Sequence, residues 1–416
     1  MLTQSAQSFR GETQRVVNPT TAGRKIWRTK AENNAGDIIG GTMNQQIRQL
    51  FPITEEYAYL NHAAVCAPPT PVIDAVFSQL ADVQKNGVLN YRKWVATKDR
   101  CRRGVADLLK CRPEQVAFMR NTSDAVSAIA NGLRWSKGDN IVTFRREFPS
   151  NIYPWIKIRD RFDVELRMCD EHDGRIDPDE LIGLIDQQTR VVALSSVQFG
   201  SGFKSDLERI GGVCKKYDAL FFVDSIQSLG VIPMDVAAQN VDAAAGACHK
   251  WLLAPEGIGY LFLSDRARER AEPTVVGWIS VENPEDYGNF EQNWKAGALA
   301  WETGTGPSSL FYGLDAGLEL LRSAGVQQIQ GYLSELTDQM CEAISLKGYE
   351  IISSRRPSDK SQIVCIKPKA GWTAMSLYGR LKERKVIVAP RGDRLRISPH
   401  FYNSHADVGR LVEALP

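Results

Sequence analysis

The chain has 416 residues, which at about 150 residues per domain gives two or three domains and room for a sizeable buried core. Lys and Arg number 51 and Asp and Glu 49, so a net charge of +2 makes no electrostatic case for nucleic acid or an anionic membrane as partner and leaves a small ligand. Hydrophobic residues at 43% and charged residues at 24% exclude collagen-like, disordered and membrane-embedded chains, and no apolar run reaches the 18 or so residues that cross a bilayer.

Residues 1 to about 42 are polar, rich in Gln, Thr, Asn and Arg and without helical or strand periodicity, so they are expected to be disordered or loosely attached outside the fold. Their basic, acid-poor look allows a transit peptide, although no long amphipathic segment supports one, and Met43 is an alternative start. From Phe51 onward, apolar and helical segments alternate across short turns. Val116–Met119, Asn140–Phe144, Val191–Val197 and Ala219–Val223 read as short buried strands, with helical spacing between them over Asp124–Trp135 and Ser205–Tyr217. That alternation predicts βαβ units on a buried parallel sheet. A long helix is expected over Thr305–Leu321. Beyond Gly348 come strands at Tyr349–Ser353, Gln362–Lys367 and Arg394–Ser398, a helix over Thr373–Lys385 and a last helix from His405, together a smaller α+β domain. The eight cysteines are scattered without a CxxC pair, which fits reduced thiols in a cytosol-like compartment. The five histidines show no HxxxH spacing, so metal catalysis has little support.

Three features carry chemistry. Ala219-Leu-Phe-Phe-Val-Asp224-Ser-Ile-Gln227 is an apolar strand ending in a carboxylate, and ligands of open parallel sheets sit beyond the carboxyl ends of strands. The bland alternative is a capping or loop-solvating Asp. Lys250, in Cys248-His-Lys-Trp251 beside the apolar strand Gly257–Leu263, either snorkels to the surface or forms a Schiff base. Arg120-Asn-Thr122-Ser123 follows a strand and opens a helix, where hydroxyls and free N–H groups either bind phosphate or simply cap. An imine partner, a pyridinium partner and a phosphate cradle are together the parts that pyridoxal 5′-phosphate needs.

In this order Tyr59-Leu-Asn-His-Ala-Ala64, Asn121-Thr-Ser-Asp124, Glu147-Phe-Pro-Ser-Asn151, Val223-Asp-Ser-Ile-Gln227, His249-Lys-Trp251, Glu302-Thr-Gly-Thr305 and Arg396-Ile-Ser398 resemble the class V aminotransferase family of fold-type I pyridoxal phosphate enzymes, over about residues 51 to 416. That family includes cysteine desulfurases, selenocysteine lyases, C–S lyases and isopenicillin N epimerase-like proteins. The resemblance implies an α/β fold: a large cofactor-binding domain over 71–310 with a mostly parallel sheet between helices, and a linking helix with a smaller C-terminal α+β domain over 311–416. It also implies that residues 43–70 contribute to the small domain and the active site. Carried over residue by residue, it makes Lys250 the internal aldimine lysine and Asp224 the partner of the pyridine nitrogen. Gln227 becomes the donor to the phenolic oxygen, Phe148 the residue stacked on the ring, and Thr122, Ser123 and His249 the phosphate groups. Thr305 matches a residue that reaches the phosphate of a neighbouring subunit, which implies a homodimer. Ala247 stands where relatives often carry another polar residue. Arg396 matches the arginine that takes the substrate α-carboxylate, and Asn61 and His62 lie in a segment that resembles the substrate-side loop.

The implied reaction runs through an external aldimine and a quinonoid on an α-amino acid, with Lys250 as general base. Desulfurases need a mobile cysteine ahead of the arginine, whereas Lys385–Arg396 contains none and Cys365 lies in an apolar run, so persulfide formation is not expected. Transamination or C–S lysis comes first, epimerisation second, and a non-catalytic pyridoxal phosphate-fold binding protein third. A soluble cytoplasmic enzyme without nucleic-acid or membrane partners is expected.

Overall fold

Alternate residues of the short apolar runs are buried on opposite sides of one sheet. The computed structural model describes residues 42–416, and the N-terminal extension expected to be disordered or loosely attached lies outside the described residues. Seven strands form the large sheet: Val116–Met119 (β1), Asn140–Phe144 (β2), Glu165–Cys169 (β3), Thr189–Ser195 (β4), Leu220–Asp224 (β5), Ala243–Ala247 (β6) and Gly259–Leu263 (β7). Their spatial order is β1-β7-β6-β5-β4-β2-β3. Val142, Phe144, Val192, Leu194, Phe221 and Val223 face one core, while Ile141, Val191, Ala193, Leu220 and Phe222 face the other. A strand with both faces covered needs apolar residues of both parities, which is why these runs lack polar alternation.

The helices that cover the two faces follow the same logic. Thr70–Asn86 (α1), Tyr91–Leu109 (α2), Thr122–Gly132 (α3), Tyr153–Phe162 (α4), Leu207–Lys216 (α5) and Ser308–Ala324 (α6) are the main ones. Val105 and Leu109 of α2 and Leu207, Ile210 and Cys214 of α5 enter the first core. Val126 and Ile129 of α3 and Trp155 and Ile158 of α4 enter the second, each pair at the i, i+3 spacing of one helical face.

The pairings β3–β2, β2–β4, β4–β5 and β5–β6 are parallel, but β7 runs antiparallel to both β6 and β1. The sheet is thus mostly parallel, as expected, with β7 its one antiparallel strand. A parallel connection needs a crossover of a dozen or more residues, usually helical, and residues 248–258 between β6 and β7 carry no helix.

Glu350–Ile351 (β8), Val364–Lys367 (β9), Ala389–Arg391 (β10) and Arg394–Ile397 (β11) build a second, antiparallel sheet in the order β8-β9-β11-β10. With Val326–Leu346 (α7), Ala374–Glu383 (α8) and His405–Ala414 (α9) it encloses a separate core of Met340, Ile344, Val364, Leu377, Leu395 and Leu411. Ala58 and Leu60, from far upstream, complete that core, and Ala58–Tyr59 pairs in parallel with Val386–Ile387.

Candidate active site

A cavity of about 340 Å³ opens beyond the carboxyl ends of the large-sheet strands. Its wall draws on the segments that follow β1, β2, β4, β5 and β6, as expected where open α/β sheets bind ligands.

Lys250 lies just past β6 on this wall and is 8% exposed. The turn is tight: Leu253 N–H donates to the Lys250 carbonyl at 3.1 Å, and Leu253 takes φ +61°, a left-handed conformation costly for a bulky residue. His62 Nε2 meets the same carbonyl at 3.0 Å. A carbonyl only accepts, so Nε2 carries the hydrogen and Nδ1 accepts from the Tyr402 hydroxyl at 3.2 Å. Burial holds Lys250 below the usual lysine range, and the nearby Asp224 charge pulls the other way.

Asp224 is the last residue of β5 and 1% exposed. Its Oδ1 accepts from Ile226 N–H at 3.0 Å. Burial raises its carboxyl, reinforced by the charge of Glu147 and opposed by Ile226 N–H and by Lys250. Glu147 is itself buried, accepting from Ser195 N–H and Gln198 Nε2, each at 2.6 Å. The Gln198 amide is therefore engaged with Glu147.

The amino end of α3 forms another part of the wall. Asn121 caps it, Oδ1 accepting from Asp124 N–H at 2.9 Å. Thr122 Oγ1 is buried without a hydrogen-bond partner, and Ser123 Oγ shares a 2.6 Å hydrogen bond with Ser150 Oγ. Thr122, Ser123, Ser150 and His249 all line the cavity, as does Ala247, which offers no polar group. Gly259 lets the helix end come this close: a Cβ there would sit 2.9 Å from Asn121 Cα.

Gln227 also lines the cavity, its Oε1 accepting from Trp251 Nε1–H at 2.9 Å and its Nε2 donating to Ala63 O at 3.1 Å. Phe148 is 42% exposed, with Lys250 Nζ 5.7 Å from its ring centroid. Arg396, on β11, is 1% exposed. Its Nη1 donates to Phe199 O at 3.0 Å, while Nε and Nη2 are buried without partners. Burial lowers this guanidinium to about 9, and the charge of Arg391 adds to the effect.

Besides Asp224, which is buried and does not line the cavity, three expected residues stand apart from its wall. His62 is fully buried behind Lys250 with both ring nitrogens engaged, and burial pushes it down to about 3. This corrects its expected substrate contact to a support beneath the lysine. Asn61 bridges to Ser398, its Oδ1 buried without a partner. Thr305 is exposed in a loop held by Glu302, whose carboxylate binds Arg102 at 2.7 Å, Lys98 at 2.5 Å and Phe118 N–H at 2.8 Å. Sequence reasoning missed Arg391, Ser150 and Phe199, all on the wall. Arg391-Gly392-Asp393-Arg394 was legible as a hairpin turn, which would have placed Arg391 beside Arg396.

Residues 58–411 match the sequence profile of the class V aminotransferases. The chain belongs to that family. It is 26% identical over 397 residues to a protein named a probable cysteine desulfurase from Methanothermobacter thermautotrophicus, covering 89% of this chain and 97% of that one. It is also 26% identical over 379 residues to an isopenicillin N epimerase from Amycolatopsis lactamdurans, covering 85% and 93%. An apo cysteine desulfurase from Thermococcus onnurineus NA1 shares the fold at TM-score 0.81 and 22% identity, over 89% of this chain and 96% of that one. The fold is therefore that of fold-type I enzymes, and the chain is a pyridoxal 5′-phosphate-dependent transferase or lyase. The residues present fit that cofactor: the cavity wall carries an amine whose neutral form burial favours and an orphaned hydroxyl at a helix amino end, and a buried carboxylate whose charge acts on that amine lies behind the wall.

Proposed function

We propose that this class V aminotransferase acts on an α-amino acid by transamination or C–S elimination, without forming a persulfide. Lys250 would hold the cofactor aldehyde, Asp224 its ring nitrogen, Gln227 its phenolic oxygen, Phe148 its face, and Thr122, Ser123 and His249 its phosphate. Bound there, the cofactor supplies an electron sink for a bond broken at the substrate α-carbon.

The chain's own residues support the rest. Burial favours the neutral amine of Lys250, and a neutral Nζ can take the α-proton and return it. Asp224 resists ionising alone, so a cationic partner facing it would gain most from its charge. The free Nε and Nη2 of Arg396 form a fork suited to a carboxylate, which would fix how the α-carbon presents its bonds. Phe148 can stack but moves no proton, which favours proton handling by Lys250 and disfavours two-sided epimerisation.

The observation that carries the reading against a desulfurase is that among the described residues no cysteine lines the cavity. Cys365 lies on β9 opposite Arg396, its Sγ donating to Gly200 O at 3.1 Å and burial raising the thiol to about 11. The test is a product panel on the holoenzyme with amino acids, with and without a keto-acid acceptor. Acceptor-dependent keto acid marks transamination, and acceptor-independent keto acid with released sulfide marks elimination. A persulfide on any cysteine after incubation with L-cysteine overturns the reading, as does loss of optical rotation without keto acid.

A homodimer in a reducing compartment completes the proposal. Ile73, Phe77 and Leu80 leave an apolar stripe exposed on α1, Thr305 is exposed and does not line its own chain's cavity, and all eight cysteines are free thiols. Sedimentation at dilute concentration checks it; a monomer with full cofactor occupancy contradicts a shared site.

A further inference from the structure

Three arginines rise from one face of the β10–β11 hairpin. Arg391 lies opposite Arg394 and Ala389 opposite Arg396 in the antiparallel ladder, so Arg391 and Arg396 are same-face diagonal neighbours. Like charges so placed repel. One of the three is neutralised inside the protein: Arg394 pairs with Glu171 at 2.7 Å, both side chains nearly buried. The other two line the cavity.

Neither of those two meets a carboxylate. Arg396 donates only to a backbone carbonyl and keeps two buried donors free. Arg391 donates to the carbonyl of its own neighbour, Pro390, at 2.7 Å. Among the described residues no Asp or Glu belongs to the cavity wall, and Lys250 experiences both arginines as repelling charges. The phosphate of a cofactor would lie at Thr122, Ser123 and His249, on other elements of the fold. One α-carboxylate answers one guanidinium and leaves a second, half-buried cation without a counter-charge, which is costly unless the ligand supplies it.

We propose that the substrate carries a second anionic group, its α-carboxylate held by Arg396 and its side-chain acid by Arg391. This inference rests on the reading of the cavity given under Proposed function. The shared chemistry is a second oxyanion, either carboxylate or phosphate. The planar fork of Arg391 suits both.

The test compares kcat/KM of the holoenzyme for aspartate against asparagine, glutamate against glutamine, and phosphoserine against serine. At least one acid is expected to exceed its neutral counterpart by about 10-fold or more, the scale of a charge-assisted hydrogen bond. In Arg391→Gln that ratio falls toward one, and in Arg391→Lys part of it survives. The pair that shows the preference identifies carboxylate or phosphate. Equal use of every pair by the unaltered enzyme overturns the proposal, and so does an Arg391→Gln variant that loses acid and neutral substrates in the same proportion, which would assign Arg391 to the common α-carboxylate. A second readout is calorimetry of succinate against butyrate on the same protein, with tighter succinate binding expected and lost in Arg391→Gln. Yellow, active enzyme without acid preference refutes this inference alone. Protein that never takes up the cofactor refutes the function reading, and the succinate comparison then still decides whether Arg391 recognises a second acid.

Discussion

The indole Nε1–H of Trp251 donates to Oε1 of Gln227 at 2.9 Å, and that contact decides which way a buried amide points. With Oε1 facing the indole and one Nε2 hydrogen on Ala63 O, the remaining Nε2 hydrogen belongs to a residue of the cavity wall. Trp251→Phe frees the amide to turn its acceptor toward the cavity. Pyridoxal phosphate affinity is expected to fall by the value of one hydrogen bond, about 0.5–1.5 kcal/mol. The pH at which the visible band changes is expected to move as well, which a purely structural loss would not cause. Spectral titration of the variant reads both quantities, and an unmoved band pH contradicts the orienting role.

Thr122 Oγ1 is a buried hydroxyl without a partner at a helix amino end, and Ser123 shares its hydrogen bond with Ser150. Thr122→Ala and Ser123→Ala are each expected to weaken cofactor retention by about 0.5–1.5 kcal/mol. Thr122 is the stronger test because its removal costs the empty protein no hydrogen bond. Equilibrium dialysis checks this; unaltered affinity in the double variant contradicts the cradle.

His62 supports Lys250 as a neutral ring, pushed by burial from the ordinary 6.5 to about 3. Between those values the unfolded chain binds a proton that the folded chain refuses, so stability is complete above about pH 6.5 and declines as pH falls toward 3. The slope from this group reaches about 1.4 kcal/mol per pH unit. His400, also buried and lowered, acts in the same direction. Urea unfolding across that range is expected to show a shallower acid slope in His62→Gln by one proton. An identical slope would falsify the neutral-support role.

Glu302 is held down to about 2: burial alone would raise it, but Arg102 and Lys98 prevail. Its contribution is present above its ordinary value of 4.5 and is lost as pH falls toward 2. Glu302→Ala strands the buried Arg102, the partly exposed Lys98 and a backbone N–H of β1, with an expected loss of about 3–5 kcal/mol in denaturant unfolding. A loss below about 1 kcal/mol, the level of a surface pair, contradicts the buried-triad account.

Much of the large sheet was legible because its strands announce themselves chemically. Val116–Met119 and Asn140–Phe144 are β-branched or aromatic runs that match the observed strands, and Asp224 ends β5 as its position after Val223 suggested. Ala243–Ala247 was not legible, since Ala-Ala-Ala-Gly-Ala favours a helix, and only its burial between β5 and β7 makes it a strand. Glu165–Cys169 was hidden by its half-exposed place at the sheet edge. Within the site, Lys250 and Arg396 were found from motif order. The placement of His62 depended on a contact across 188 residues of chain, which no local pattern encodes.

The central claim is that Lys250 alone carries the cofactor. Borohydride reduction of the yellow holoenzyme followed by peptide mapping tests it most directly. The account predicts one reduced pyridoxyl phosphate per chain, on the peptide containing His249-Lys250-Trp251, and a Lys250→Ala protein that folds but lacks both the label and the visible band. Label on any other lysine, or a visible band that survives in Lys250→Ala, would contradict it.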